Sequence, residues 1–169
     1  MISRASGIVI RPAGPADAQA VWRIIEPVIR AGETYALPMD MTIDDALAFW
    51  FAPAHQVFLA CDRGDGDVVG TYFLRANKKG GGDHVANAGY VTAMGHEGRG
   101  IARAMGLHSL DRARARGFLA MQFNFVVSTN RRALCLWLSL GFDIVGRLPD
   151  AFRHPRHGLV EILIMYRHL

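Results

Sequence analysis

The chain reads as one mixed α/β domain, a largely antiparallel sheet layered with helices. Three observations point there. Apolar β-branched and aromatic runs are bounded by glycine turns, and two long segments carry apolar residues at helical spacing. A length of 169 residues with 51% hydrophobic residues is the size and composition of one domain with its own core. No apolar run approaches the ~18 residues of a membrane span. The N-terminus carries arginine but no apolar stretch with a cleavage site, so a soluble, cytoplasmic protein is expected.

The elements follow in order. Residues 7–11 make a short strand. Pro15 and Asp17 start a helix whose apolar face is Val21, Ile24, Ile25, Val28 and Ile29, and Pro27 is expected to kink or divide it. A loop over 32–38 leads to a second helix, capped by Thr42 and supported electrostatically by Asp44 and Asp45. Strands over 56–61 and 68–77 flank the hairpin turn Arg63-Gly64-Asp65-Gly66. Three glycines at 80–82 break the chain before a strand over 84–93. The helix over 98–116 presents a face of mostly small residues, Ala102, Met105, Gly106, Ser109 and Ala113, suited to close packing on a sheet. Gly117 ends it. A strand over 119–127, a helix over 130–140 stopped by Gly141, and strands over 142–147 and 159–166 complete the order. The last strand either inserts between others or leaves an edge that a second subunit could cover.

The net charge is +4, and among the 19 basic residues only Lys78 and Lys79 are not arginine. That balance fits an anionic partner, either nucleic acid or a phosphorylated cofactor. The arginines form no long stripe with interleaved aromatics, which argues against nucleic acid. Cys61 and Cys135 lie in apolar segments without metal-ligand spacing and read as buried, reduced thiols. His154 and His157 flank Pro155 and Arg156 with no third ligand nearby, so they read as a loop between the last two strands, and no metal is expected.

The segment from Val91, Thr92 and Ala93 through Glu97, Gly98, Arg99, Gly100, Ile101, Ala102 and Arg103 runs from a strand through a turn into a helix. Glycine lets the backbone approach an anion, and unpaired N–H groups at a helix N-terminus attract negative charge, so the segment reads as a phosphate cradle, with a plain tight strand-to-helix turn as the alternative. It is not a dinucleotide fingerprint, because Asp111 falls inside the helix rather than at a strand tip. Nor is it a nucleotide-hydrolase loop, which needs Gly-Lys-Ser or Gly-Lys-Thr.

Downstream, the run Ser128 to Phe142 contains Asn130, Ala133, Leu136, Gly141 and Phe142 at the spacing Asn-x-x-Ala-x-x-Leu-x-x-x-x-Gly-Phe. With the cradle, this resembles the GCN5-related N-acetyltransferase (GNAT) superfamily, whose cradle pattern maps onto Glu97, Gly100 and Ala102. The resemblance implies a sheet of about seven mostly antiparallel strands, splayed in the middle, with helices on both faces. It further implies acetyl-CoA as co-substrate in the cleft, and it makes a homodimer a candidate assembly. Val91 to Ala93 would pair with the pantetheine arm, the backbone of Gly98 to Arg103 would hold the diphosphate, and Asn130 would hydrogen-bond the arm. Arg132 and Ala133 belong to the same surface. Two residues depart from the family pattern. Glu97 replaces Gln or Arg beside the diphosphate, tolerable if it turns to solvent or pairs with Arg99 or Arg103. Trp137 stands where many relatives carry the tyrosine that protonates the thiolate, and an indole N–H donates a hydrogen bond but is no practical acid; it either packs or lines the thioester pocket. One of Arg99, Arg103, Arg131 and Arg132 is expected to meet a CoA phosphate.

On the acceptor side, Asn87 lies on the strand before the cradle, and Asn124 is embedded among Phe123, Phe125, Val126 and Val127. A buried amide without partners is costly, so Asn124 should be bonded to backbone or ligand. His84 to Tyr90, the loop Gly32-Glu33-Thr34-Tyr35 and the ending Phe152-Arg153-His154-Pro155 resemble the GNAT subfamily acting on azetidine-2-carboxylate and other proline analogues. That resemblance implies a small amine or imino acid bearing a carboxylate, held by Asn87 and Asn124 with Glu33 and Tyr35 nearby. Glu33, or a water relayed through the asparagines, would remove its proton. Tyr35, Tyr90 and Tyr166 are the candidate replacement acids. Acetylation of a protein N-terminus or lysine, and a catalytically silent acyl-CoA-binding module, stand as alternatives.

Overall fold

The computed structural model describes residues 7–169. Its elements are β1 (Ile8–Pro12), α1 (Ala18–Ala31), α2 (Ile43–Trp50), β2 (Gln56–Asp62), β3 (Val68–Ala76), β4 (Val85–Thr92), α3 (Ile101–Ala115), β5 (Ala120–Val127), α4 (Arg131–Ser139), β6 (Asp143–His154) and β7 (Gly158–His168), with single 3₁₀ turns at Pro15–Asp17 and Gly80–Gly82. The strands form one seven-stranded sheet in the order β1-β2-β3-β4-β5-β7-β6. All neighbours are antiparallel except β4 and β5, which run parallel. The last strand therefore inserts between β5 and β6, and β1 and β6 are the edges.

Side-chain alternation along the strands divides the core in two. On one face α1 and α2 bring Val21, Ile25, Ala46 and Trp50 onto Leu59, Phe73 and Val91. On the other, α3 and α4 bring Ile101, Met105, Trp137 and Leu140 onto Tyr72, Leu74, Met121 and Phe123. The α2 helix is capped as its sequence predicts, with Thr42 Oγ1 accepting the Asp45 N–H at 3.1 Å.

Three expectations need correction. Pro27 does not divide α1, which runs unbroken over 14 residues. Its buried Val21, Ile24, Ile25 and Ile29 straddle the proline, and Pro27 itself is only half-buried, so the Arg23 carbonyl it leaves free can reach water. The strand expected over 142–147 extends to His154 and contains Pro149. An edge strand tolerates proline, and here the register slips between Leu148 and Phe152, with Asp150 at φ 54°. His154 is therefore the last residue of β6, not part of the loop. Finally, Cys135 is exposed and Cys61 half-buried. The α4 helix packs through Trp137 and Leu140, which turns Cys135 outward despite its apolar neighbours in sequence.

Candidate active site

The site is built where β4 and β5 part. They pair only at Val85↔Ala120 and Ala86↔Met121, whereas β4 stays on β3 as far as Thr92↔Gly70 and β5 stays on β7 as far as Val127↔Ile162. Trp137 explains the separation in packing terms. Its ring centroid lies 4.8 Å from that of Tyr90 on β4 and 4.8 Å from that of Phe123 on β5, so the indole sits as a wedge between the diverging strands. It is 7% exposed and lines the cavity below, so the packing and pocket-lining alternatives are both realised.

Backbone parity sets the chemistry of the gap. Val85 O accepts from Asn77 N and Ala93 N donates to Val69 O, so the odd residues of β4 turn their polar groups to β3. The even residues Ala88, Tyr90 and Thr92 accordingly turn theirs toward the gap. One of these groups is claimed: the Tyr35 hydroxyl donates to Tyr90 O at 3.1 Å.

At the vertex the ladder is continued by side chains. Asn87 Nδ2 donates to Gln122 O at 2.9 Å, and Arg75 Nε donates to Asn87 Oδ1 at 3.3 Å. Gln122 Nε2 donates to Asn124 Oδ1 at 2.8 Å, and Asn124 Nδ2 donates to Asn77 Oδ1 at 2.6 Å. Asn124 is thus bonded to neighbouring side-chain amides, not to backbone as one expectation had it. It sits in a β-bulge: Asn124 and Phe125 together face Ile164 alone, between the pairs Phe123↔Met165 and Val126↔Leu163. A bulge re-aims side chains, and this one turns Asn124 onto the cavity wall beside Asn87.

One cavity of about 930 Å³ runs from the α1–α2 loop through the gap to α3 and α4. Val91, Thr92, Glu97, Gly98, Gly100, Ile101, Ala102 and Arg103 line it along β4 and the cradle, and Asn130, Arg132, Ala133 and Trp137 line it from α4. Ala93 and Arg99 lie outside its wall. Gly98 and Gly100 adopt φ 78° and 80°, the left-handed region that glycine occupies without strain. The α3 helix begins at Ile101 with Gly100 as N-cap and no side-chain cap, and no N–H from Gly98 to Arg103 finds an acceptor among the described residues. Such a cradle fits a diphosphate. Asn130 Oδ1 is spent capping α4, accepting Ala133 N–H at 3.3 Å, which leaves its Nδ2 as the group available to a ligand.

The cationic candidates separate. Arg99 pairs with Asp62 and donates to His96 Nδ1 at 2.7 Å, tying the turn after β4 to the end of β2. The Gly64 N–H and Arg99 together hold the Asp62 carboxyl below the usual carboxylate range. Arg131 is off the cavity wall, whereas Arg103, bonded to Ser139 Oγ at 3.1 Å, and Arg132 lie on it. Glu97 is exposed and pairs with neither Arg99 nor Arg103 among the described residues, so it stands on the cavity wall as a solvated carboxylate. Replacing Arg103 and Arg132 together by glutamine should raise the acetyl-CoA KM several-fold, while Arg99→Gln should leave it near the parent value. Steady-state kinetics with varied acetyl-CoA checks this, and the reverse ranking would exclude the assignment.

Two acceptor-side candidates are corrected. The Tyr90 hydroxyl donates to Ser109 Oγ at 2.7 Å, and Ser109 in turn donates to Gly106 O. It is held against α3 inside the core, where burial pushes its pKa far up, so it does not face the gap as an acid. Glu33 does not line the cavity. Its carboxylate is 2.8 Å from Arg156 in the β6–β7 turn, an ion pair that lies off the cavity wall. Tyr35 does line the cavity, whereas Tyr166 does not. His154 Nδ1 accepts the Arg156 N–H at 3.2 Å, and no group of three or more His, Cys, Asp or Glu could hold a metal among the described residues.

The parted β4–β5 pair, the glycine cradle opening α3 and the Asn130-capped α4 together have a counterpart among known proteins. The family model for the acetyltransferase (GNAT) family matches residues 22–142, a span that contains all three. The chain belongs to that family. It is an acetyl-CoA-dependent N-acetyltransferase. This GNAT chain is 39% identical, with a TM-score of 0.92, to a GCN5-related N-acetyltransferase from Kribbella flavida, covering 96% of this chain and 98% of that one. It is 28% identical to the N-acetyltransferase aca1 of Schizosaccharomyces pombe, covering 83% of this chain and 74% of that protein. The fold is also that of yncA from Salmonella typhimurium, solved with acetyl-CoA: TM-score 0.82, 21% identity, 96% of this chain and 94% of that one. None of the helices of this acetyltransferase among the described residues is long and apolar enough to cross a membrane.

Proposed function

We propose that this protein transfers the acetyl group of acetyl-CoA to the amine of a small molecule bound between β3, β4 and the α1–α2 loop. The observation that carries the reading is the largely apolar and aromatic wall of the acceptor half. Thr34, Tyr35, Ala36 and Leu37 wall it from the loop, Phe49 and Phe73 from α2 and β3, and the Glu33–Arg156 pair ties that loop to the β6–β7 turn. A peptide substrate needs an open groove, and here the loop that walls the acceptor half is itself tied down.

The residues divide the work as follows. The cradle N–H groups with Arg103 and Arg132 would hold the CoA phosphates. The N–H groups of Ala88 and Tyr90 face the gap and are the donors for the carbonyl oxygen as it gains negative charge. Asn87 and Asn124 orient the acceptor. The Trp137 N–H has no acceptor among the described residues and can donate to the departing thiolate, but the proton that thiolate takes up comes from water. Among the described residues no carboxylate lines the acceptor half, so the amine also loses its proton to water. Thiol release with acetyl-CoA should therefore occur with small amines, climb with pH toward the amine's own pKa, and be absent with N-terminal or lysine-bearing peptides. Peptide turnover, or tight CoA binding with no turnover of any amine, would overturn the reading.

A further inference from the structure

We propose that Trp137 sets the length of the acyl chain this enzyme accepts from CoA, with Gly106 on α3 holding the indole in place, so that acetyl fits and each further methylene is refused. The inference rests on the thioester carbonyl lying at the gap, as in the reading above. There the Ala88 and Tyr90 N–H groups draw its oxygen to β4, and the Trp137 N–H reaches its sulfur. A trigonal carbon with those two substituents placed has one left, the acyl chain, two bonds from the sulfur within reach of Trp137. Chain and indole therefore share one space.

Three rings enclose that space: Trp137 lies 4.8 Å, centroid to centroid, from both Tyr90 and Phe123, and Tyr90 meets Phe123 edge-on at 5.9 Å. Each ring is backed and has no room to retreat. The Tyr90 hydroxyl is bonded to Ser109 Oγ, and Phe123 stacks on Phe142 at 4.4 Å. Behind Trp137 stands Gly106, one of the buried small residues of α3. A Cβ there would lie 3.2 Å from the indole Cζ3 and 2.8 Å from Leu140 Cδ1, so α3 approaches the indole as closely as a residue without a side chain permits. Leu140 and Phe142 are themselves buried. A close-packed wall of this kind admits an extra methylene only by forcing side chains off their preferred rotamers. An indole also fills more of the gap than a tyrosine at the same position would.

The test is calorimetric titration of the full chain, with no acceptor present, by free CoA and by acetyl-, propionyl- and butyryl-CoA. Acetyl-CoA should bind at least about ten-fold more tightly than propionyl-CoA, with a further loss for butyryl-CoA, as expected for single methylenes in an apolar pocket. Trp137→Phe keeps an aromatic ring in the core and should bring propionyl-CoA to within about three-fold of acetyl-CoA. Gly106→Ala should act in the opposite sense, pressing the indole forward and widening the ratio. A Trp137 that serves packing alone would, in Trp137→Phe, weaken every ligand equally, free CoA included, and leave the ratio, which overturns the proposal. Equal affinity of the parent for acetyl- and butyryl-CoA overturns it as well. Neither result touches the small-amine reading, since no acceptor takes part. Free CoA binding as tightly as acetyl-CoA with all chain lengths alike would remove the acyl group from the gap, and the proposal with it.

Discussion

Asn87→Ala is expected to lower turnover by about two orders of magnitude while the affinity for acetyl-CoA stays within about two-fold. The side chain is 7% exposed and joins the two parting strands, giving Nδ2 to Gln122 O and receiving Arg75 Nε. Its loss leaves a carbonyl at the vertex of the gap without its donor and removes the one side-chain acceptor that Arg75 has among the described residues. A misplacement of about 1 Å at a reacting centre is enough for a hundred-fold loss. The cradle, built on α3, does not depend on that amide. Adding Asn124→Ala removes the second amide on the wall and should abolish turnover. Steady-state kinetics with calorimetric CoA titration separates the two effects. Full activity in both single variants would rule out the amide pair as the acceptor site.

Gly89→Ala carries the other large effect, on stability and activity together. A Cβ there would lie 2.7 and 2.8 Å from Phe73 ring carbons and 2.9 Å from the Tyr35 hydroxyl. Phe73 cannot retreat freely, since it stacks on His55 and meets Trp50 and Phe49 edge-on. Overpacking of this kind costs about 1–3 kcal/mol. For a chain this size that is a fall in Tm of roughly 2–12 °C. If Tyr35 yields instead, its bond to Tyr90 O is lost and the loop over the acceptor half opens. Tyr35→Phe isolates that second consequence, because it removes the hydroxyl and keeps the ring. Calorimetry and acceptor KM should show Gly89→Ala impaired in both respects and Tyr35→Phe in the acceptor KM. An unchanged Tm for Gly89→Ala would refute the packing argument.

The glycine turn and the α2 cap were legible because they are local. Gly98, Gly100 and Thr42 act on backbone within a few residues of themselves, whereas Asn130, expected to meet the pantetheine arm, turns out to cap α4 with its oxygen. Side chains whose partners are remote in sequence were misread. Glu33 looked like a base until Arg156, more than a hundred residues on, claimed it, and Tyr90 looked like an acid until Ser109 did.

By itself the sequence determined the order of elements, the glycine turn that opens α3 and the family, since turn glycines, caps and apolar periodicity are properties of neighbouring residues. The tertiary structure alone decided where β4 and β5 part and which amides bridge them. Those outcomes depend on strand register and on Trp137 packing between Tyr90 and Phe123, contacts between segments far apart along the chain.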